Sequence, residues 1–245
     1  MEQQFEYKEI DQEGLDTLDT MSEARKLNAW QYEDSSRHLS GKILEIGSGV
    51  GNISAFYVEE NRDITLSDIR DNYLEKLTKK FEKGVSPNKI IKMDLVASDF
   101  EEKYAKHIGT FDGLFALNVV EHIEDDTLAI SNAKKLLKPG GKMVILVPAY
   151  QALYNGLDKA LFHYRRYNKR SLNELFLKND LSIDKSYYFN FAGILGWFVS
   201  GKLQKNNTIP GGQLKLYNSL VPIFKLVDLI TFRKIGLSVV CVGTK

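Results

Sequence analysis

Residues Lys42–Asn52, KILEIGSGVGN, constrain this chain more than any other stretch. A short apolar run (Ile43, Leu44, Ile46) ends in Gly47-Ser48-Gly49-Val50-Gly51, and the residues beyond can start a helix. That order is a buried strand, a glycine turn and a helix N-terminus. Glycines let the backbone turn at positive φ and let a ligand lie against bare main chain. The spacing is Gly-x-Gly-x-Gly rather than Gly-x-Gly-x-x-Gly, and the absence of a following Gly-Lys-Ser/Thr excludes a P-loop. Glu45 stands at the strand's end, where it would repel a pyrophosphate but accept from a nucleoside that carries an amino acid. A glycine turn in some other βαβ unit is the plain alternative.

Downstream, strands and helices alternate. The pattern predicts strands at Lys42–Ile46, Asp63–Ser67, Lys89–Met93, Phe111–Leu117 and Lys142–Val147. Helices are predicted over about 51–60, 71–83 and 125–137, with a short helix or loop at 98–107. Pro87-Asn88 reads as a turn, and Lys138-Pro139-Gly140-Gly141 as a helix end and turn. Before the first strand, 1–20 reads as an arm or loose helix and 21–39 as one helix. After Pro148 the period is lost until a helix at 171–180, a strand at Leu181–Tyr188, helices at 192–204 and 214–232 around a turn at Pro210-Gly211-Gly212, and a last strand at Ile235–Val242. Alternating strands and helices indicate an α/β fold with a parallel sheet covered on both faces, whose ligands bind outside the strands' carboxyl ends.

Composition narrows the function classes. The chain has 245 residues, 43% hydrophobic and 27% charged, which suits one domain over 1–245. An N-terminal helical cap is expected over 1–40, with two insertions, 148–170 and 190–234, standing over the sheet as a substrate cover. A net charge of +1, with both signs interleaved, argues against a nucleic-acid partner. The single cysteine, Cys241, rules out disulfides and cysteine-based metal sites, and a reducing cytoplasm is the expected setting. The polar start shows no signal peptide. The segment 214–232 is apolar enough to touch a membrane surface, but its few basic residues argue against stable insertion.

Four polar residues fall at predicted carboxyl ends: Glu45, Asp68, Asp94 and Asn118. Together with the turn they read as a site for S-adenosylmethionine (SAM). Glu45 would accept from the methionine amino group, while Gly47, Ser48 and Gly49 bring backbone amides to it and Asn52 meets its carboxylate or caps the helix. Asp68, followed by Ile69, would accept both ribose hydroxyls. Asp94 would take the adenine amino group with Leu95 against the ring, unless Leu95 is core. Asn118 and Val119 would face the sulfonium. His122 fits a general base or a structural histidine equally in type.

These motifs carry a resemblance. LEIGSGVGN, SDI, MDL, LFALNVVEHIEDD and LKPGGKMVILVPA, in that order, resemble a class I SAM-dependent methyltransferase of the bacterial small-molecule type 11/12/23 groups. AsnAlaTrp (28–30), LeuTyrAsnGlyLeuAsp (153–158), HisTyrArgArgTyr (163–167) and the terminal GlyLeuSerValValCysValGly (236–243) are similar to one subgroup. That subgroup reads Leu-Tyr-Gly-x-x-Asp and Gly-His-x-Arg-Arg-Tyr; here Asn155 is interposed before Gly156, and Phe162 replaces the glycine before His163. The resemblance implies a Rossmann-like seven-stranded sheet of order 3-2-1-4-5-7-6 with strand 7 antiparallel, SAM as the cofactor, and contacts from Asn28 and Trp30 to its methionine end.

The acceptor is left to the cover. Tyr154, His163 and Tyr167 are candidates for acceptor binding or catalysis, and Asp158 is expected to pair with Arg165 or Arg166. No metal triad is evident. The reading is a SAM-dependent methyltransferase acting on N, O or C of a small aromatic or apolar molecule, as a monomer or homodimer. A SAM- or nucleoside-binding module without methyl transfer and an NAD-dependent oxidoreductase are the rival readings.

Overall fold

The structure, a computed structural model, describes residues 12–83, 89–200 and 211–245. The seven strands are β1 (Ile43–Ile46), β2 (Ile64–Asp68), β3 (Ile90–Lys92), β4 (Phe111–Leu117), β5 (Leu137–Pro148), β6 (Ser182–Phe189) and β7 (Ser238–Thr244). They form one sheet of order β3-β2-β1-β4-β5-β7-β6. β1 pairs parallel with β2 and β4, and β4 parallel with β5, whereas β7 runs antiparallel to both β5 and β6. The order reverses between β1 and β4, and a crevice opens at such a switch point beyond the carboxyl ends.

Side-chain alternation divides the core. Leu44 and Ile46 of β1, Leu114 and Ala116 of β4, and Met143, Ile145 and Val147 of β5 face one cluster. Ile43, Phe115, Val144 and Leu146 face the other. The period of two along a strand places successive residues on opposite faces. A strand covered on both faces therefore reads as a continuous apolar run. Each fully buried Leu, Ile or Phe contributes about 1.5–3 kcal/mol. The first cluster is closed by helices α5 (Phe100–Lys103), α6 (Asp126–Leu136) and α8 (Lys169–Lys178), through Phe100, Ile130, Leu136, Leu172 and Phe176. The second is closed by α2 (Arg25–Ser36), α3 (Ser54–Glu59), α4 (Asp71–Phe81) and α10 (Gly211–Ile230), through Trp30, Tyr57, Leu77 and Val221.

Several boundaries differ from those the pattern predicts. The helix expected over 21–39 is narrower, α2 alone, and the arm or loose helix expected over 1–20 holds a helix of its own, α1 (Gln12–Ser22); the chain turns between them at Glu23-Ala24, where the Asn28 amide closes the corner onto the Met21 carbonyl at 2.9 Å. Lys138–Gly141 is not a free turn. It extends β5, since Gly140 N–H donates to the Lys245 carbonyl at 2.9 Å and Lys245 N–H to that of Gly141 at 3.0 Å. Gly211 and Gly212 open α10 rather than a turn, and α9 covers Gly193–Phe198, with 199–200 continuing as a π-helical turn. Residues 1–11 of the arm expected over 1–20, the Pro87-Asn88 turn, residues 201–204 and Pro210 lie outside the described residues.

α10 carries Pro222 and leaves Leu216, Ile223, Leu226, Leu229 and Ile230 exposed. No helix among the described residues is long and apolar enough to cross a membrane. Between β5 and α8 the chain makes a 3₁₀ turn at Gln151–Leu153 and helix α7 (Gly156–Ala160).

Candidate functional site

The glycine turn is stapled to its neighbours from three sides. Ser48 N–H donates to the Ser67 carbonyl at 2.8 Å, and Ser67 N–H to the Ser48 hydroxyl at 3.1 Å, so β2 holds the turn. Gly47 adopts φ +70°, and a Cβ there would sit 2.4 Å from Val119 Cγ2. Only glycine meets both conditions. At Gly49 the nearest neighbour is Leu18 of α1, and the Asn52 amide donates to the Leu18 carbonyl at 2.8 Å. The first helix is thereby drawn over the turn.

Acidic groups surround it. Glu45 is buried on the α3 side of β1 and accepts the Ser54 hydroxyl. Burial pushes its pKa up to about 7, against the Ser54 and Ser48 hydroxyls, which favour the ionised form. Asp68 ends β2. Its Oδ2 accepts Gly49 N–H at 2.9 Å and its Oδ1 accepts Arg70 N–H at 3.1 Å. Burial raises its pKa, while those amides pull it back. Asp94 follows β3, where its Oδ1 accepts Val96 N–H at 2.9 Å and its own N–H meets the Tyr104 hydroxyl at 2.9 Å. Asn118 follows β4 in the left-handed region at φ +55°, exposed, its N–H donating to the Leu146 carbonyl at 2.8 Å. Asparagine is the non-glycine residue that visits this region most readily.

Beyond Asn118 a 3₁₀ turn, Val120–His122, leads away from the sheet. The cover lies along it, Tyr164 N–H donating to the Glu121 carbonyl at 2.8 Å and Arg165 to that of Glu124 at 2.6 Å. Within the cover, Asp158 Oδ1 takes both His163 Nδ1 at 2.9 Å and Arg166 Nε at 2.7 Å. Arg166 also donates to the Ala149 carbonyl at 3.0 Å and lies over the Trp197 ring. Burial raises the Asp158 pKa, but His163 and Arg166 more than offset it and hold the carboxyl below its ordinary value. Burial lowers the pKa of His163, with Asp158 opposing. The interposed Asn155 caps α7: its side chain accepts Leu157 N–H at 2.9 Å, and Asp158 returns to Asn155 N–H at 2.9 Å. Phe162, where the similar subgroup has glycine, sits at φ +59°.

The expected residues separate into groups. Glu45, Gly47, Ser48, Gly49 and Asp68 converge on one turn. Val119 packs on Gly47, and Asp94 and Asn118 stand at neighbouring strand ends. Leu95 is buried in the core cluster with Met93 and Phe100. Asn52 and Asn28 hold α1, as described. Trp30 is a core residue 4.4 Å from Phe189, binding α2 to the end of β6. Both tyrosines named as acceptor or catalytic candidates have hydrogen-bond partners within the chain. The Tyr154 hydroxyl donates to the His163 carbonyl at 2.6 Å, and that of Tyr167, itself buried, to Asp126 at 2.8 Å. Arg165 pairs with Asp126, leaving Arg166 as the partner of Asp158.

One residue passed over in the sequence emerges here. Glu121 is fully buried, and neither carboxylate oxygen has a hydrogen-bond donor among the described residues. Burial pushes its pKa up to about 8. His122 and His163 stand beside it, their rings edge-on at 4.6 Å. The signal was a glutamate in an otherwise apolar ValValGluHisIle, where a surface glutamate has no reason to be.

Residues 44–143 match the methyltransferase domain family Methyltransf_12. A ubiquinone biosynthesis O-methyltransferase of Xanthomonas euvesicatoria is 25% identical over 164 residues, 61% of this chain and 66% of that protein. An S-adenosyl-L-methionine-dependent Diels-Alderase, iccD, of Talaromyces variabilis is 28% identical over 105 residues, 43% of this chain and 35% of that protein. The chain therefore spans between about a third and two thirds of the length of these curated relatives. A SAM-dependent methyltransferase of Archaeoglobus fulgidus superposes with a TM-score of 0.59 at 17% identity, covering 90% of this chain and 94% of that one.

Proposed function

The chain belongs to the class I SAM-dependent methyltransferases, and from that premise we propose that it transfers the SAM methyl group to a small acceptor held above the carboxyl ends of β4 and β5. The observation that carries the reading is Asp68. Both of its oxygens are pinned by backbone amides, one of them from the glycine turn itself. A fixed carboxylate edge with two acceptors fits the vicinal hydroxyls of a ribose. Glu45 and Asp94 extend the same acidic rim toward an amino group at either end of the ligand.

When bound, SAM supplies a methyl group on a sulfonium that leaves as a neutral thioether. The chain's own residues then have to orient the acceptor and keep water out. The cover, with Trp197 against the Arg166 of the Asp158–Arg166 pair and Tyr164 hung on Glu121, suits a small aromatic or apolar molecule. The NAD-dependent alternative is set aside with the family assigned. A second reading, SAM binding without net methyl transfer, is favoured by the similarity to a SAM-dependent Diels-Alderase.

Incubation with SAM and a panel of small acceptors tests both. Methyl transfer predicts stoichiometric S-adenosylhomocysteine and methylated product; product formation without S-adenosylhomocysteine establishes the second reading. Asp68→Ala should weaken SAM binding at least tenfold in calorimetric titration with the fold retained. Unchanged affinity removes Asp68 from the site.

A further inference from the structure

We propose that Glu121, His122 and His163 form a binding site for a first-row divalent transition-metal ion, and that this ion engages an oxygen of the acceptor. One ligand atom from each residue lies within 4.8 Å of the others, so a modest closure brings all three onto one ion. The donor set is two imidazoles and a carboxylate on one side, the arrangement that leaves coordination positions open for a substrate.

Three independent features support it. Burying a carboxylate costs several kcal/mol unless donors or a cation compensate it, and among the described residues Glu121 has no donor at either oxygen. His163 already has the outer partner that metal-binding histidines require. Its Nδ1 is held by Asp158 at 2.9 Å, which orients the ring and leaves Nε2 for an ion. Asp158 is in turn fixed by Arg166 and by the α7 cap. Finally, the position fits the chemistry, since Glu121 and His122 lie three and four residues beyond Asn118, at the carboxyl end of β4 where the acceptor is placed. The chain spacing conceals the group, because His163 lies 41 positions beyond His122.

The acceptor class follows, and this part rests on the methyl-transfer reading. A divalent ion lowers the pKa of a hydroxyl that it binds. The hydroxyl proton passes to solvent, an oxygen lone pair forms the new O–CH3 bond, and the C–S bond breaks with its electron pair going to sulfur. The inference is therefore a hydroxylated acceptor and an O-methyl product.

The test begins with chelator-treated protein titrated separately with Zn²⁺ and Co²⁺. The expected result is one ion per chain, with Co²⁺ absorption bands of a mixed nitrogen and oxygen site. His122→Ala, at an accessible position, should lower ion affinity by about 100-fold or more, at least the loss seen when an outer partner of a ligand is removed. Glu121→Gln should do the same, with folding confirmed by circular dichroism. Absence of one-to-one binding, or equal binding by His122→Ala, overturns the proposal. SAM titration of the chelated protein separates the two readings: SAM binding without metal binding sinks the metal site alone, and metal binding without SAM binding sinks the methyltransferase reading alone. Methylation of hydroxyl acceptors that is unaffected by chelation overturns the catalytic role of the ion.

Discussion

Gly47→Ala separates two costs that usually come together. At φ +70° an alanine pays the left-handed penalty of about 1–2 kcal/mol. Its Cβ would also fall 2.4 Å from Val119 Cγ2, and relief of such overpacking costs about 1–3 kcal/mol more. The expected loss is about 2–5 kcal/mol, a fall in Tm of roughly 4–20 °C for a chain of this size. Gly109 supplies the control, because it has φ +64° and a methyl added there would meet nothing within 4 Å, so Gly109→Ala should show the backbone penalty alone. The double variant Gly47→Ala/Val119→Ala removes the clash and should recover to near the Gly109→Ala value, less about 1 kcal/mol for the half-buried methyls lost from Val119. Urea unfolding followed by circular dichroism measures all four. If Gly47→Ala is no worse than Gly109→Ala, or Val119→Ala brings no recovery, the contact between the turn and the segment after β4 is not what demands glycine.

Further outcomes follow from the buried charges. Asp158→Ala leaves Arg166 buried and unpaired, and should cost about 3–5 kcal/mol at neutral pH; Arg25→Ala, which breaks an exposed pair with Glu59, should cost under about 1 kcal/mol. Because the folded pKa of Asp158 lies below its unfolded value, its contribution is present above the ordinary carboxylate range and is lost as pH falls through the folded value. Asp158→Ala should accordingly flatten the acid limb of the stability profile. Glu45 has the opposite sign: its pKa is raised from 4.5 to about 7, so its contribution is complete below 4.5 and disappears as pH rises through 7. Between pH 5 and 8 the native chain should lose on the order of 3 kcal/mol relative to Glu45→Gln, and parallel profiles would refute the assignment. Asn168→Ala removes the cap at the start of α8 and should cost about 1 kcal/mol in thermal unfolding, with no change in SAM affinity.

The sheet was legible because its strands announce themselves locally. Phe111–Leu117 is the same span in pattern and structure, and the groups at the ends of β1 to β4 follow from where each apolar run stops. The cover was not legible, since its conformation is decided by partners distant in sequence: Arg166 reaches Ala149, and Tyr164 is hung on Glu121. Tyr154 and Tyr167 looked available because a sequence does not say which hydroxyls are already spoken for. Two local signals did exist in the cover, the Asn155–Asp158 and Asn168–Ser171 capping boxes, the first produced by the interposed asparagine. Lys138–Gly141 misled in the other direction, because the strand it extends depends on Lys245, more than a hundred residues away.

β7 is the last strand along the chain but lies between β5 and β6. During vectorial synthesis, residues 182–189 therefore emerge with no neighbour to pair with, and β5 waits with an open flank for the same seven residues. Two unsatisfied strand margins coexist until 238–244 slide between them and complete both ladders at once. Such margins recruit other chains, so the interval between making β6 and making β7 is when a nascent copy of this protein most needs protection from its own kind.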